Sequence, residues 1–448
     1  MAQPPQDAPA SAPAASVRQG PATARPDPAW KEWIRPYYLR WIYFPLHPRA
    51  RPRAWRDCWR YPEAGLSRPH LAPPPESRDF LFFPMTDWHA RIQRTQQLAR
   101  ALARRGHRCL YLNPHLGREF PDPPGFGPRT SVRRLEHDIW ELHMGLPREP
   151  VFHHRLLRPE EHASLAARLQ AIASQFDVRR LVVISSFPIW LETASAIAER
   201  CQGALVYDCH DLLGGFPNVA PEIVAREAEA LRQAALALFS AASLRDEWVR
   251  RLPELAPKAI LLRNGVDASR FLIAPLRDRE TPAVGYIGAL DHWFDTEALA
   301  AAARALPRFR FLLYGRVEHP PIRSLAAFPN VELRGEIPYQ RLPEAMAEFD
   351  VALIPFRLTP LTLATNPIKV YEYFSCGLPV VSAPLPEVIG QFPDLAYAAA
   401  SPEEYVTQIT RAARESDLEL RARRRAVAER ESWDARAATL LAALEEEA

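Results

Sequence analysis

The chain has few cysteines for its length, and they are not paired in sequence. Five cysteines are spread over 448 residues without Cys-x-x-Cys spacing. This pattern indicates neither a disulfide framework nor a cysteine-based metal site, so we expect no metal and a reducing compartment. No charged and then apolar leader opens the sequence. We therefore expect a cytoplasmic location. A peripheral position on the inner face of the membrane is compatible with this expectation. The cysteines are Cys58, Cys109, Cys201, Cys209 and Cys376.

Long apolar runs and a strong net charge are also lacking. No stretch of the sequence approaches the roughly 20 apolar residues that a membrane-spanning helix needs. The net charge of +3 is too small to indicate nucleic-acid binding. A hydrophobic content of 48% and a charged content of 24% are ordinary for a globular protein. The length predicts two to three domains, each able to bury a sizeable core.

The N-terminal part differs in composition from the rest. Residues 1 to about 28 are rich in Ala, Pro, Gln and Ser, and we expect them to be disordered because they cannot bury enough apolar area. Residues 30–60 combine five tryptophans with eight lysines and arginines. Two interpretations stay open: the aromatic residues pack onto the first domain, or they lie in an anionic membrane surface. The residues near helical spacing are Trp30, Trp33, Ile34, Tyr37, Trp41 and Phe44, with Pro36 interrupting.

From residue 79 onward, short buried strands alternate with helices in two series. This alternation predicts an α/β protein with two Rossmann-like, doubly wound parallel sheets that face a cleft. We expect an extension over 1–78, a first domain over 79–272, a second domain over 273–425 and a final segment over 426–448. The predicted strands are 80–83, 109–112, 181–185, 204–207, 236–240 and 259–262 in the first series, and 283–287, 309–314, 331–333, 351–354 and 379–382 in the second.

The stretch 366–382 contains the signals for a helix start, a helix stop and a following strand. Asn366 is predicted to cap the helix with its side chain and Pro367 to take the first helical position. Lys369 and Glu372 are three residues apart and share one helix face. A cation in the first turn opposes the helix dipole by roughly 0.3–1 kcal/mol, which favours an anion bound beside Lys369. The pattern predicts a diphosphate at the helix start and a ribose diol on Glu372.

This segment resembles the nucleotide-sugar site of GT-B fold glycosyltransferases, especially glycosyltransferase family 4 (group 1). The resemblance implies a nucleotide-diphosphate sugar as co-substrate, with no cofactor. Glu372 falls on the glutamate that contacts the donor ribose, and Ala364 replaces the family's second glutamate. Pro367, Lys369 and Glu372 form a Pro-x-Lys-x-x-Glu variant, which is similar to inverting, glucuronosyltransferase-like relatives that place the lysine near the diphosphate.

Three further segments of the second half resemble the same family. Where family 4 has an arginine and a lysine for the diphosphate, none follows Gly288 until Arg304, so Lys369 and then Arg316 are the candidate cations. The segment 334–339 resembles the part that lines the nucleotide base, and 263–267 resembles the interdomain Asn-Gly-Val-Asp turn. The candidate donor-binding residues are Glu372, Lys369, Asn366, Ile368, Arg316, Gly288, Gly335 and Ile337.

Polar residues follow two strands of the first half. His210 matches a family 4 histidine that touches the donor sugar, and Asp211 or Asp208 could act as a general base if transfer inverts the anomeric carbon. The resemblance implies that the C-terminal helix over 426–448 crosses back to the first domain. It also implies that the loop after the first strand faces the acceptor side. Its candidate residues are Trp88, Arg91 and Arg94.

The combined expectation is a hexosyltransferase that moves a sugar from a nucleotide-diphosphate sugar to a saccharide or lipid-linked acceptor in exopolysaccharide or glycolipid assembly. Retention is preferred because the interdomain turn and the base segment resemble family 4 more closely. Three alternatives remain: a non-catalytic GT-B protein that binds a nucleotide sugar or glycan, an inverting glucuronosyltransferase-like enzyme, and a nucleotide-sugar epimerase. The expected partners are the nucleotide sugar, the acceptor and an anionic membrane surface through residues 30–60, and not nucleic acid.

Overall fold

A computed structural model of the chain describes residues 30, 34, 37–48, 77–89, 91–116, 130–146, 153–271 and 280–446. The stretch 1–28, which was predicted to be disordered, lies outside these residues. So do most of the aromatic and basic segment 30–60 and residues 272–279, where the boundary between the two domains was predicted. Among the described residues, no helix is both long enough and apolar enough to cross a bilayer.

The first sheet has eight strands in the order β3-β4-β2-β1-β5-β6-β7-β8. All neighbouring strands are parallel except β3 and β4, which form an antiparallel hairpin at one edge. The sequence analysis did not foresee this hairpin, which turns at Asp138 with a φ of 58°. The strands are β1 (Asp79–Phe83), β2 (Arg108–Leu112), β3 (Ser131–Glu136), β4 (Ile139–His143), β5 (Leu181–Ser185), β6 (Ala204–Cys209), β7 (Leu236–Phe239) and β8 (Ala259–Leu261).

The second sheet has six parallel strands in the order β11-β10-β9-β12-β13-β14. Counted from β9, this is the 3-2-1-4-5-6 order of dinucleotide-binding domains, so the direction of winding reverses between β9 and β12. Ligands of such sheets bind beyond the carboxyl ends of the strands at that reversal. The strands are β9 (Ala283–Ile287), β10 (Arg310–Tyr314), β11 (Val331–Gly335), β12 (Val351–Ile354), β13 (Val380–Ser382) and β14 (Ala396–Ala398).

Helices cover both faces of the two sheets. The α-helices from residue 94 onward are α1 (Arg94–Arg104), α2 (Pro159–Gln175), α3 (Leu191–Arg200), α4 (Pro221–Gln233), α5 (Ala242–Arg251), α6 (Thr296–Ala305), α7 (Leu342–Met346), α8 (Pro360–Leu363), α9 (Ile368–Ser375), α10 (Pro402–Ala413), α11 (Leu418–Arg430) and α12 (Trp433–Glu446). Helix α1 was predicted over 90–105 but begins later, because Gln93 is extended (φ −135°, ψ −166°) and caps it together with Gln96.

The last helix joins the core of the first domain. Trp433 and Leu440 of α12 belong to the same buried cluster as Phe80 of β1 and Leu98 of α1. Val266, in the turn that follows β8, donates its amide to the carbonyl of Glu431 at 3.0 Å. The turn between the two sheets is therefore held by the start of the last helix.

Candidate functional site

Helix α9 begins at the reversal point of the second sheet, directly after the loop that follows β12. Its first residue is Ile368, and Pro367 is the N-cap, with no side-chain cap. The predicted capping role of Asn366 and the predicted helical position of Pro367 are therefore wrong. Gly377, with a φ of +71°, ends the helix as predicted.

Asn366 cannot cap α9 because tertiary contacts use its side chain. Its Oδ1 accepts the amide N–H of Asn264 at 3.0 Å, and its Nδ2 donates to Glu387 at 2.9 Å and to Tyr371 at 3.0 Å. The carbonyl oxygen of Asn366 accepts from Asn264 Nδ2 at 2.6 Å. Asn264 lies in the interdomain turn, so Asn366 holds the start of α9 against that turn.

Lys369 and Glu372 lie on one face of α9, as their spacing predicted. Lys369 Nζ donates to Glu372 Oε2 at 2.9 Å, with the lysine side chain 26% exposed and the glutamate 2% exposed. A carboxylate buried to this degree needs a cation or several hydrogen bonds to remain charged. The pair thus places a reachable cation in the first turn of the helix and a sheltered acceptor behind it.

Three glycines bring the backbone ends of neighbouring strands close together beside α9. Gly315 follows β10 with a φ of +150°, and a Cβ there would lie 1.7 Å from the carbonyl oxygen of Gly288. Gly288 donates its amide to the Tyr314 carbonyl at 2.9 Å, and Gly315 donates to Gly335 at 2.8 Å. This edge presents backbone rather than side chains, which allows a ligand to approach closely.

The other donor-side candidates are more peripheral. Arg316 is exposed and forms an ion pair with Glu318. Ile337 is half-buried against the core of the second domain. Ile368 packs instead against the core that includes β1 and α12 of the first domain. The start of α9 therefore lies at the joint between the domains.

In the first domain, Asp208 and Arg94 form a buried ion pair. Arg94 Nε lies 2.9 and 3.0 Å from the two carboxylate oxygens of Asp208, and the two side chains are 0–4% exposed. Arg94 Nη1 also donates to the carbonyl of Arg263 at 3.2 Å and to Asn264 Oδ1 at 3.1 Å. Arg94 therefore connects Asp208 to the interdomain turn. The sequence analysis had predicted Asp208 as a base and Arg94 as an acceptor-side residue.

His210 and Asp211 follow β6 and lie close together at the carboxyl edge. His210 Nε2 is 3.9 Å from Asp211 Oδ2, and the side chains are 17% and 31% exposed. Desolvation raises the pKa of Asp211 despite that exposure, and the charge of Asp208 adds to the rise, while the charges of His210 and Arg94 act against it. A raised pKa brings a carboxylate nearer to the range of a general base.

The loop after β1 contributes one cation to the interface between the domains. Arg91 Nε lies 2.7 Å from Glu336 Oε1, with the side chains 35% and 25% exposed. Trp88 is only 5% exposed and packs edge-on against Tyr111, which leaves little of its ring for an acceptor. Of the three predicted acceptor-side residues, Arg91 is the one whose side chain is accessible.

The carboxyl edge of the first sheet also carries two carboxylate–histidine pairs. The sequence analysis did not predict that these residues pair. His115 Nε2 lies 3.1 Å from Asp87 Oδ2, and His89 Nε2 lies 3.2 Å from Glu141 Oε2. Burial raises the pKa of Glu141, but the charge and hydrogen bond of His89 and a hydrogen bond from Asn113 outweigh it and lower the pKa overall. The alternation of apolar and polar residues over 140–143 was the available signal for the strand that carries Glu141.

Position 364, where a sugar-binding glutamate was expected from the resemblance, packs against the first domain. Ala364 is 8% exposed and belongs to the core cluster of the first domain. Nearby, a Cβ on Gly215 would lie 2.7 Å from Leu361 Cβ, and the rings of Phe216 and Trp293 are 6.3 Å apart across the domains. This side of the cleft is closed by close packing.

Two comparisons at the sequence level found similar proteins. Residues 295–442, which include α9, match the model of a family described as Glycosyl transferase-like. A Bacillus subtilis (strain 168) protein, provisionally named as the teichuronic acid biosynthesis glycosyltransferase TuaH, is 27% identical over 201 residues. That alignment covers 41% of this chain, and the chain spans about half (51%) of the length of TuaH.

Comparison with solved structures identifies the fold. Sucrose-phosphate synthase from Thermosynechococcus elongatus is similar with a TM-score of 0.61 and 16% identity, over 83% of this chain and 98% of that one. Anabaena HepE in complex with UDP and glucose has a TM-score of 0.57 and 15% identity, over 82% and 99% of the two chains. The chain has the GT-B fold, and the prediction of two Rossmann-like domains is confirmed.

Proposed function

We propose that this chain is a glycosyltransferase that moves a hexosyl group from a nucleotide-diphosphate sugar to a saccharide or lipid-linked acceptor. The observation that carries the proposal is the Lys369–Glu372 pair at the reversal point of the second sheet, within the region that matches the glycosyltransferase-like family model. The similarity to TuaH, which is named for teichuronic acid biosynthesis, supports a role in exopolysaccharide or glycolipid assembly.

Each residue of the proposed donor site has a chemical task. Lys369 turns toward the diphosphate and supplies the positive charge, so the reaction as proposed requires no metal ion. Glu372 accepts hydrogen bonds from the ribose hydroxyls. The backbone at Gly288 and Gly335 lies against the nucleotide, and His210 contacts the donor sugar from the first domain.

We propose transfer with retention of the anomeric configuration, in which the leaving phosphate takes the proton of the acceptor hydroxyl. Both oxygens of Asp208 are engaged by Arg94, so Asp211 is the remaining carboxylate of this strand end for an inverting mechanism. Binding without transfer is the second candidate function, and the packing of Ala364 against the first domain favours it, because this position offers no group to the donor sugar.

Calorimetry tests the donor site. The ligands are UDP, GDP, ADP and dTDP, each with and without the attached sugar, and pyrophosphate. Lys369→Ala should weaken all of these ligands, whereas Glu372→Gln should weaken UDP, GDP and ADP, whose ribose is intact, more than it weakens pyrophosphate, each by about 1–3 kcal/mol. Arg341 and Glu344 form an exposed pair with the same spacing in the same domain. Arg341→Ala and Glu344→Gln are therefore matched controls that should leave binding unchanged.

Unchanged affinity in both site variants, with both still folded, would refute the donor site. Release of nucleoside diphosphate on addition of acceptor distinguishes transfer from binding alone. An altered free nucleotide sugar, with no acceptor consumed, would indicate the epimerase alternative.

A further inference from the structure

One arginine of the first domain reaches a carboxylate of the second domain. Arg91 lies in the loop between β1 and α1, and its Nε donates to Glu336 Oε1 at 2.7 Å. Glu336 directly follows β11, which is an edge strand of the second sheet. The side chains of Arg91 and Glu336 are 35% and 25% exposed. Both partners of this interdomain ion pair therefore remain accessible to a ligand.

The backbone of Arg91 is held in place although its side chain is partly exposed. Gln96 of α1 is fully buried, and its Nε2 donates to the carbonyl of Arg91 at 3.0 Å and to the carbonyl of Asp87 at 3.2 Å. The Oε1 of Gln96 accepts the amide N–H of Gln93 at 3.1 Å. The loop thus presents the arginine from a defined point, so a change of partner requires rotation of the side chain and no movement of the loop.

The charge of Arg91 acts at the backbone edge around Gly288. Burial raises the pKa of Tyr286, whereas a hydrogen bond with Trp293 and the positive charge of Arg91 act against the rise. The Tyr286 hydroxyl donates to the carbonyl of Ala289 at 2.9 Å, and a Cβ on Gly288 would lie 2.6 Å from Tyr286 Oη. The guanidinium group is therefore within electrostatic range of the strand end that presents backbone to a ligand.

The second domain supplies little positive charge at this strand end. Its sequence has no lysine or arginine between Gly288 and Arg304. Arg316 is exposed and forms an ion pair with Glu318. Lys369 carries a single positive charge, whereas a diphosphate carries more than one negative charge. A guanidinium group suits this task because its planar fork can donate two hydrogen bonds to phosphate oxygens.

We propose that Arg91 is the second cation of the donor site, and that it leaves Glu336 to bind the diphosphate of the nucleotide sugar. The two positive charges then come from different domains, Lys369 from the second and Arg91 from the first. Glu336 can be released at little cost, because an exposed ion pair contributes little to stability. This inference rests on the proposed donor site, and it assigns Arg91 to the donor instead of the acceptor.

Calorimetry with pyrophosphate, which has neither base nor ribose, and with UDP tests the inference. Arg91→Met should lower the affinity for both ligands by about ten- to a hundredfold, because a charge-assisted hydrogen bond is lost. Arg91→Lys keeps the charge but not the planar fork, so we expect a smaller loss. Arg104→Met removes another first-domain arginine from an ion pair, the one with Asp434, and should bind like the unchanged chain.

A change at Glu336 distinguishes a ligand-binding arginine from a contact that only holds the domains together. Glu336→Gln removes the carboxylate that competes for Arg91, so the affinity for pyrophosphate should rise by about two- to fivefold. A loss of affinity in Glu336→Gln that matches the loss in Arg91→Met would overturn the proposal, because both changes would then act by loosening the interface.

Lys369→Ala distinguishes failure of this inference from failure of the donor site. If Lys369→Ala weakens pyrophosphate binding and Arg91→Met does not, the inference is wrong and the donor site stands. If neither variant changes the affinity, both are refuted. If Arg91→Met raises only the KM for the acceptor, the arginine serves the acceptor and the proposal is overturned.

Discussion

Two ion pairs lie near the carboxyl ends of the two sheets, one in each domain, and they differ in burial and in connectivity. Arg94 and Asp208 are almost fully buried, and Arg94 donates to the interdomain turn as well as to Asp208. Lys369 and Glu372 share one hydrogen bond, and the lysine remains 26% exposed. The first pair cannot turn toward a ligand without leaving a buried charge. In the second pair, the partly exposed Lys369 can turn to an incoming anion if the ribose hydroxyls of the same ligand replace it as hydrogen-bond donors to Glu372.

Breaking the buried pair should give the largest effect. Arg94→Met leaves Asp208 uncompensated, and we expect the free energy of unfolding to fall by about 3–5 kcal/mol, as measured by urea denaturation. Arg94→Met combined with Asp208→Leu should recover much of this loss. Arg179 and Asp177 form a pair of the same kind in the same domain, but with side chains 73% and 70% exposed. Arg179→Met should change stability by less than about 0.5 kcal/mol. Equal losses of unfolding free energy in Arg94→Met and Arg179→Met would contradict the expectation that the buried pair contributes more to stability than the exposed one.

A third carboxylate sharpens the comparison because hydrogen bonds, rather than an adjacent cation, hold it. Glu227 of α4 accepts from Tyr207 at 3.1 Å and lies 3.6 Å from Cys209 Sγ. Burial raises its pKa to about 8, and the two hydrogen bonds act against the rise. The folded chain keeps the proton that the unfolded chain loses near the ordinary pKa. The contribution of the Glu227 carboxyl group to the stability of the folded chain is therefore full at low pH and is lost as the pH rises through about 8.

Urea denaturation of Glu227→Gln over a range of pH measures this contribution. Relative to the variant, the unchanged chain should lose roughly 2–3 kcal/mol of stability between about pH 6 and pH 8.5. Glu222→Gln, at an exposed position of the same helix, should show no such difference. If the unfolding free energy changed with pH in the same way for all three proteins, Glu227 would be charged in the folded state.

The smallest expected effect concerns Asp211. Under the proposed retention, Asp211→Asn should lower turnover by less than about tenfold, with little change in donor affinity, because no protein base is required. NMR of the product should show the anomeric configuration of the donor. An inverted product together with a turnover loss of about 10²–10⁴-fold would instead make Asp211 the base.

Much of the fold could be predicted from the sequence, because parallel strands that are buried on both faces appear in it as short apolar runs. Most of the predicted strands agree with the structure to within one or two residues. The hairpin of β3 and β4 was missed because polar residues interrupt the apolar ones in both strands, Ser-Val-Arg-Arg-Leu-Glu and Ile-Trp-Glu-Leu-His, so that neither contains a continuous apolar run. The start of α9 was placed one residue early because Pro367 and Asn366 match general capping preferences, whereas Asn366 is used by partners from the interdomain turn.

The sequence by itself determined that Lys369 and Glu372 share a helix face, that Gly377 ends this helix, and that two series of strands form two sheets. These features depend on neighbours within a few positions, where helix and strand periodicity decide the outcome. Only the tertiary structure decided that Arg94 pairs with Asp208, that Asn366 binds Asn264 and Glu387, and that His89 meets Glu141. Those partners are distant in the sequence, and which side chains meet depends on how the sheets and helices pack, which local periodicity does not specify.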